Sequence, residues 1–342
     1  MQLTDEVCEK LKGRSVILSL SGGKDSTACA LFLREHGIPF QAVHCDTGWE
    51  HPDTVAYVRT TLEDRFGPIK ILSAHFDLPA EQELVAKQLE AELGFKYSAM
   101  IRVILYKGMF SSRMRRFCTD HLKVYPFRAY ARELMQSGVR IVNVVGIRHD
   151  ESAARSQMPE WEPFDGDAEV WRPLIRWTVD DVIAIHKRHN MPPNPLYVRG
   201  AARVGCWPCI FARKAEIRMI AETDPHRVQV IERLEEVVKE MATKRYAERG
   251  ETFESLGYTP PTWFQNPKSE YRDRVQKDGT IKRVHSGAQM PIREVVQWSY
   301  TKRGKNEVEP FAPQPGDNGC MRWGLCDMGW AQQGILFPAK IK

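Results

Sequence analysis

No stretch of this 342-residue chain approaches the roughly 20 consecutive apolar residues of a bilayer-spanning helix, so no membrane span is expected. The start, Met1-Gln2-Leu3-Thr4-Asp5-Glu6-Val7-Cys8, lacks the basic-then-apolar layout of a secretory leader, and a cytoplasmic protein is the expectation. In that compartment a disulfide framework is not the expected use of eight cysteines, and metal binding or thiol chemistry is favoured. A strong charge of one sign is also missing. The formal net charge of +5 is compatible with nucleotides or nucleic acid and requires neither. What is present is ordinary globular composition, 42% hydrophobic and 27% charged. The length suits one domain of about 200 residues plus a smaller appendage.

One stretch organises the rest. Ser15 to Leu20 is an apolar run typical of a parallel strand buried on both faces, and Thr27 to His36 carries helical periodicity that stops at Gly37. Between them Ser21-Gly22-Gly23-Lys24-Asp25-Ser26 forms a small-residue turn at a helix N-terminus. There unpaired amides and the positive dipole end favour an anion, two glycines let the backbone approach phosphate oxygens, and Lys24 adds a charge. It is not a Walker A loop, which needs an earlier glycine and a Ser or Thr where this chain has Asp25.

The alternation continues. A second strand is expected over Phe40 to Cys45, ending in the turn Asp46-Thr47-Gly48, with a helix from about Pro52. A third strand falls on Ile69 to Ala74, a helix on about Pro79 to Leu93, and a later strand on Arg140 to Ile147. This order predicts an α/β fold: a doubly wound, mostly parallel sheet of about five strands. Ligands of such sheets sit beyond the carboxyl ends of the strands, so Ser21 to Ser26 and Asp46 to Glu50 should face one crevice. Asp46 reads as a ribose or metal ligand, or as a turn-forming residue that caps the next helix.

The segment Arg113 to Pro126 is densely basic around Cys118; it reads as a solvated face or as a place where positive charge stabilises a reactive or metal-binding sulfur. Thr178 is an N-cap with Asp180 and Asp181 in the first turn, and the helix runs to His189 before Pro192-Pro193 forces an extended segment. His186 and His189 are expected at the surface. Cys206-Trp207-Pro208-Cys209 is a C-x-x-C in a tight turn after a proline-rich loop, which suits a metal site better than a thioredoxin-type pair. Cys118, Cys320 and Cys326 are its available partners, while Cys29 and Cys45 read as core. A [4Fe–4S] cluster, structural zinc and an unmetallated dithiol all stay open.

Residues 214 to 249 read as two charged helices broken near Asp224-Pro225. Beyond Gly250 the chain turns to aromatics, prolines and basic residues, suited either to nucleic acid or to packing on the core. The expected domains are 1–200, a nucleotide-binding α/β unit; 201–250, the cysteine motif and covering helices; and 251–342, a helical and loop-rich accessory region.

Ser21 to Ser26 resembles the PP-loop of the N-type ATP pyrophosphatases. Together with Asp46-Thr47-Gly48-Trp49, Cys118-Thr119, Leu122-Lys123, Pro126 and Gly146-Ile147-Arg148 followed by Glu151-Ser152, it makes residues 15 to about 215 similar to the phosphoadenosine phosphosulfate (PAPS) reductase family, including its DNA-phosphorothioation branch. The resemblance implies an adenine nucleotide alpha hydrolase-like fold that binds ATP with Mg2+. Its implied nucleotide contacts are Ser19, Ser21, Gly22, Gly23, Lys24, Asp25, Ser26, Asp46, Thr47, Gly146, Arg148 and Glu151, with Lys24, Asp25 and Cys118 catalytic. It also implies a [4Fe–4S] cluster, with Zn2+ as the alternative, on Cys118, Cys206, Cys209 and Cys326. The implied activity is an ATP pyrophosphatase that adenylates a substrate and supports sulfur transfer. DNA or tRNA would be the substrate and a cysteine desulfurase the sulfur donor. A PAPS or adenylyl-sulfate reductase is the alternative, although the Glu-Cys-Gly-Leu-His type motif of such reductases is not reproduced near Cys326. A non-catalytic nucleotide- or nucleic-acid-binding module is the third reading.

Overall fold

Val16, Ile17 and Leu18 are buried in strand β1 (Ser15–Ser19), the centre of the molecule. Around it lie β2 (Gln41–Cys45), β3 (Ile69–Leu72), β4 (Ile141–Val145), β5 (Trp161–Asp165) and β6 (Ala168–Trp171), in the sheet order β3-β2-β1-β4-β6-β5. The computed structural model describes residues 3–112, 114–276 and 278–301. Five strands run parallel, as the alternation predicts. The sixth, β5, pairs antiparallel with β6 at the sheet edge. The hairpin strands β5 (WEPFD) and β6 (AEVW) are only five and four residues long and carry Glu or Asp among their apolar residues, so neither shows a readable hydrophobic period.

Side-chain alternation along β1 feeds two cores, as a doubly wound sheet requires. Val16 and Leu18 join Ala42, Val142 and Val144 under the helices Lys24–Glu35 and Val179–Arg188, through Leu31 and Val182. Ile17 joins Val43 and Ile141 on the opposite face, under Phe127 and Ala131 of the helix Tyr125–Gln136. The chain moves outward from β1 to β3, then crosses back to β4 on the other side of β1. That reversal is a topological switch point, and the crevice at the carboxyl ends of β1 and β4 is where such sheets hold ligands.

The charged stretch breaks where expected, into the helices Lys214–Thr223 and Pro225–Ala247. With Ala99–Lys107 and Ile292–Ser299 they form a third core that takes in Trp49, Trp207 and Trp263. Trp49 and Trp263 stack at 4.9 Å and 26°. Between Trp263 and Ile292 the chain forms an antiparallel ribbon, β7 (Phe264–Val275) and β8 (Ile281–Met290), with its own two-stranded pairing. Buried Glu235 pins the ribbon's base, accepting the Trp263 N–H at 2.9 Å and the Ile292 N–H at 3.0 Å. Cys320 and Cys326 lie outside the described residues.

One expectation needs correction. His186 is buried at 1% exposure; its Nδ1 donates to the Val182 carbonyl at 2.7 Å, and burial lowers its pKa to about 4. Its position, four residues after buried Val182, puts it on the helix's inner face. Cys45 sits at the margin of the core, packed against the cluster of Ile17, Val43 and Phe127. It is half-buried at the carboxyl end of β2, with its sulfur 3.7 Å from the Lys123 carbonyl. His189 stays half-exposed, its Nε2 2.6 Å from Glu35 Oε1.

Candidate functional site

The helix Lys24–Glu35 begins at Gly23 with no side-chain cap, the condition in which first-turn amides and the dipole are open to an anion. Gly22 has φ +76, and a Cβ there would lie 2.9 Å from Val58 Cγ2, so only glycine fits. The turn is closed from inside. Ser26 Oγ donates to the Gly23 carbonyl at 3.0 Å and accepts the Ser21 N–H at 3.1 Å, with the Ser21 hydroxyl also 3.1 Å away. Ser19 Oγ donates to Asn143 Oδ1 at 3.0 Å, tying β1 to β4 just below.

Lys24 and Arg148 share one carboxylate. Asp25 Oδ2 lies 3.1 Å from Lys24 Nζ, and Arg148 Nε donates to Asp25 Oδ1 at 2.5 Å. Arg148 also pairs with Asp150 and donates to the Trp177 carbonyl at 3.3 Å. Burial works against both cations, yet Tyr197 and Asp25 hold Lys24, and Asp25 and Asp150 hold Arg148, above their ordinary values. Gly146 lets β4 reach this point: a Cβ on it would meet the Asp25 carbonyl carbon at 2.6 Å and the Ser26 nitrogen at 2.7 Å. Glu151, expected beside the nucleotide, accepts the Arg148 N–H at 2.8 Å and pairs with Arg155 at 2.5 Å, so it braces Arg148.

The turn after β2 is closed by its own side chains. Asp46 Oδ1 accepts the Gly48 N–H at 2.9 Å, the turn-forming role, with Arg59 3.9 Å from its other oxygen. Buried Thr47 donates its hydroxyl to Glu50 Oε1 at 2.6 Å. The other Glu50 oxygen accepts the Thr47 and Trp49 N–H groups at 3.3 and 3.1 Å, which satisfies a carboxylate only 3% exposed. Glu50 then pairs with Cys206 in an antiparallel backbone bridge. The Trp207 N–H donates to the Trp49 carbonyl at 2.9 Å, and Trp49 Nε1 donates to the Pro208 carbonyl at 3.2 Å. The C-x-x-C loop therefore lies directly on the turn that borders the phosphate loop.

Two cations face its sulfurs. Lys123 is reached by solvent, yet Cys206, Glu50, Cys209 and Cys45 stand around its ammonium and hold its pKa above the ordinary lysine value despite desolvation. The Arg203 guanidinium hydrogen-bonds Cys209 and lies 3.8 Å from Glu216. Burial pushes the Cys206 thiol up to about 12, against the opposing pull of Lys123. Cys118, whose N–H donates to Ser111 Oγ at 3.1 Å, is among the charges felt by Cys206. Among the described residues no three His, Cys, Asp or Glu side chains are grouped to hold one metal ion. Cys326 lies outside the described residues.

Residues 15–212 match the family profile described as the phosphoadenosine phosphosulfate reductase domain. The chain belongs to this family. An uncharacterized 37.8 kDa protein of Escherichia phage 186 is 33% identical over 251 residues, which is 65% of this chain and 75% of the relative. The adenosine 5'-phosphosulfate reductase of Allochromatium vinosum is 24% identical over 216 residues, 62% of this chain and 73% of that one. Among solved structures, the PAPS reductase of Candida auris in a phosphate complex aligns at TM-score 0.41 and 17% identity, covering 60% of this chain and 97% of that one.

Several groups at the site escape a reading by motif. Asn194 donates from Nδ2 to the Gly22 carbonyl and to Thr54 Oγ1, both at 3.2 Å, and Tyr197 accepts the Lys24 N–H at 3.1 Å. Their segment announces only its prolines. Arg203 and Glu50 carry no spacing signal, although each adjoins a motif that does.

Proposed function

We propose that this crevice binds an adenine nucleotide by its phosphates and that the adjoining cysteine loop performs sulfur chemistry on it: reductive cleavage of adenylyl sulfate. The Glu50–Cys206 pairing carries the reading, because it seats two thiols beside the phosphate loop in a fold whose crevice holds ligands. Relatives named as adenosine 5'-phosphosulfate reductases over the same domain support it. In this reading Cys209, which the Arg203 guanidinium hydrogen-bonds, attacks the sulfate sulfur as the thiolate. The sulfur–oxygen bond to the nucleotide breaks, its electron pair leaves with AMP, and Cys209 carries the sulfonate. Cys206 then attacks the Cys209 sulfur. That step releases sulfite, passes the Cys206 proton to solvent and leaves a Cys206–Cys209 disulfide, which an external dithiol reduces. Lys24 and the loop amides stabilise charge on the leaving phosphate.

The intact Lys24-Asp25 pair favours a second reading, ATP cleavage to pyrophosphate with adenylation of a substrate, DNA in the phosphorothioation branch. One experiment separates them. Full-length protein is given adenylyl sulfate with a dithiol, or ATP with Mg2+, and products are resolved by anion chromatography. Sulfite and AMP from the first mixture, both lost in Lys24→Ala, support reduction. Pyrophosphate from the second with no sulfite from the first selects adenylation.

A further inference from the structure

Tyr197 belongs to neither motif, yet its side chain joins the two halves of the crevice. It is 5% exposed. Its hydroxyl accepts the Lys24 N–H at 3.1 Å, and the Val204 main chain hydrogen-bonds to the same group. The Lys24 ammonium lies over its ring at 5.4 Å. A Cβ on Gly23 would come within 3.5 Å of that hydroxyl and 3.7 Å of the Val204 carbonyl oxygen, so loop glycine, phenol and the approach to Cys206 are in contact. Local structure fixes the ring's starting point. Asn194 Oδ1 accepts the Leu196 N–H at 3.0 Å to cap the turn Pro195–Val198, while Asn194 Nδ2 reaches back to Gly22.

We propose that Tyr197 is a positioning residue, a strap through which nucleotide on the phosphate loop sets the position of the Val204–Cys206 segment. The inference rests on the nucleotide reading above. An anion on Ser21 to Ser26 draws on the loop amides beside the Lys24 N–H and on the Lys24 ammonium, which lies over the ring of the same tyrosine that accepts that N–H. On its far side the cysteine loop is pinned by the Glu50–Cys206 bridge and the Trp207–Trp49 hydrogen bond. The attachment free to respond to the phosphate loop is therefore the one at Val204. Nucleotide binding would tighten that attachment and order the thiols in the same event.

The test is hydrogen exchange, followed by mass spectrometry, on full-length wild type and Tyr197→Phe, free and with AMP or a non-hydrolysable ATP analogue. The phenylalanine keeps the ring and removes the hydroxyl, and melting curves check that the variant folds. In the free proteins, residues 203–209 should exchange at least about tenfold faster in Tyr197→Phe. Nucleotide should slow residues 21–26 in both proteins and residues 203–209 in wild type alone. Equal exchange of 203–209 in the two free proteins, or equal slowing of it by nucleotide, overturns the strap and leaves the nucleotide reading standing. A wild type in which neither ligand slows 21–26 contradicts the nucleotide reading and takes the strap with it. If the variant does not fold, wild type still decides: protection at 21–26 without protection at 203–209 overturns the proposal.

Discussion

Glu50 and Cys206 pair backbone to backbone, so the turn after β2 and the C-x-x-C loop form one piece of structure. The Glu50 carboxylate holds its own turn through Thr47 and Trp49, and Cys206 interacts electrostatically with Lys123. Movement of either segment is thus imposed on the other.

The close approach of β4 to the phosphate loop predicts a sharp contrast between two glycines. An alanine Cβ at Gly146 would sit 2.6 Å from backbone of Asp25, which cannot rotate away, whereas one at Gly205 meets nothing within 4 Å. Gly146→Ala should cost about 1–3 kcal/mol of stability and at least about tenfold in nucleotide affinity. Gly205→Ala should change either by little. Calorimetric titration and denaturant melts of the two variants would decide it.

Asp25 compensates two cations at once, with Arg148 only 4% exposed at its side chain. Removing one partner of a buried pair leaves charge uncompensated, so Asp25→Ala should destabilise the fold by about 3 kcal/mol. A urea midpoint indistinguishable from wild type would show that the pair does not brace the loop.

Buried His186 makes stability depend on pH. Its folded pKa of about 4 lies below the ordinary histidine value of 6.5, so below pH 6.5 the unfolded chain binds a proton that the folded one refuses. Stability is then complete above the unfolded value, falls as pH drops toward 4, and loses about 3 kcal/mol over that window. His186→Gln should remove this part of the pH dependence. Unfolding curves of both proteins at pH 7.5, 5.5 and 4 would measure it, and parallel losses would contradict it.

Cys206, pushed up to about 12, should behave as a protonated thiol at neutral pH. Its alkylation in chelator-treated protein should rise about tenfold per pH unit between pH 7 and 10, where an ordinary cysteine levels off above its pKa of about 8.5. Lys123→Gln should slow it further, because the ammonium opposes the effect of burial. A plateau below pH 9 would contradict this.

The parallel strands, the phosphate loop and the helix limits were legible because each rests on local signals: an apolar run, two glycines, Thr178 as cap, Pro192-Pro193 as stop. The parts of the site made by long-range contact were not. The hydrogen bonds of Asp46 to Gly48 and of Thr47 to Glu50 exist only once the turn has formed, and residue type alone does not announce them. His186 reads as a surface residue yet is buried, because polarity alone says little about which face of a helix packs. The aromatic-rich chain after Gly250 hid its role for the same reason: Trp263 gains its meaning from Trp49, far away in sequence.

The central claim, that the cysteine loop acts on a nucleotide held by Ser21 to Ser26, is tested most directly by trapping the sulfonated cysteine. Cys206→Ser, which cannot resolve the adduct, is mixed anaerobically with adenylyl sulfate, digested without reductant and mapped by mass spectrometry. The account predicts one sulfonate per chain on Cys209, with AMP released in equal amount and no adduct when Lys24→Ala is added. Sulfite release with Cys209 unmodified, or an adduct on a different cysteine, would contradict it.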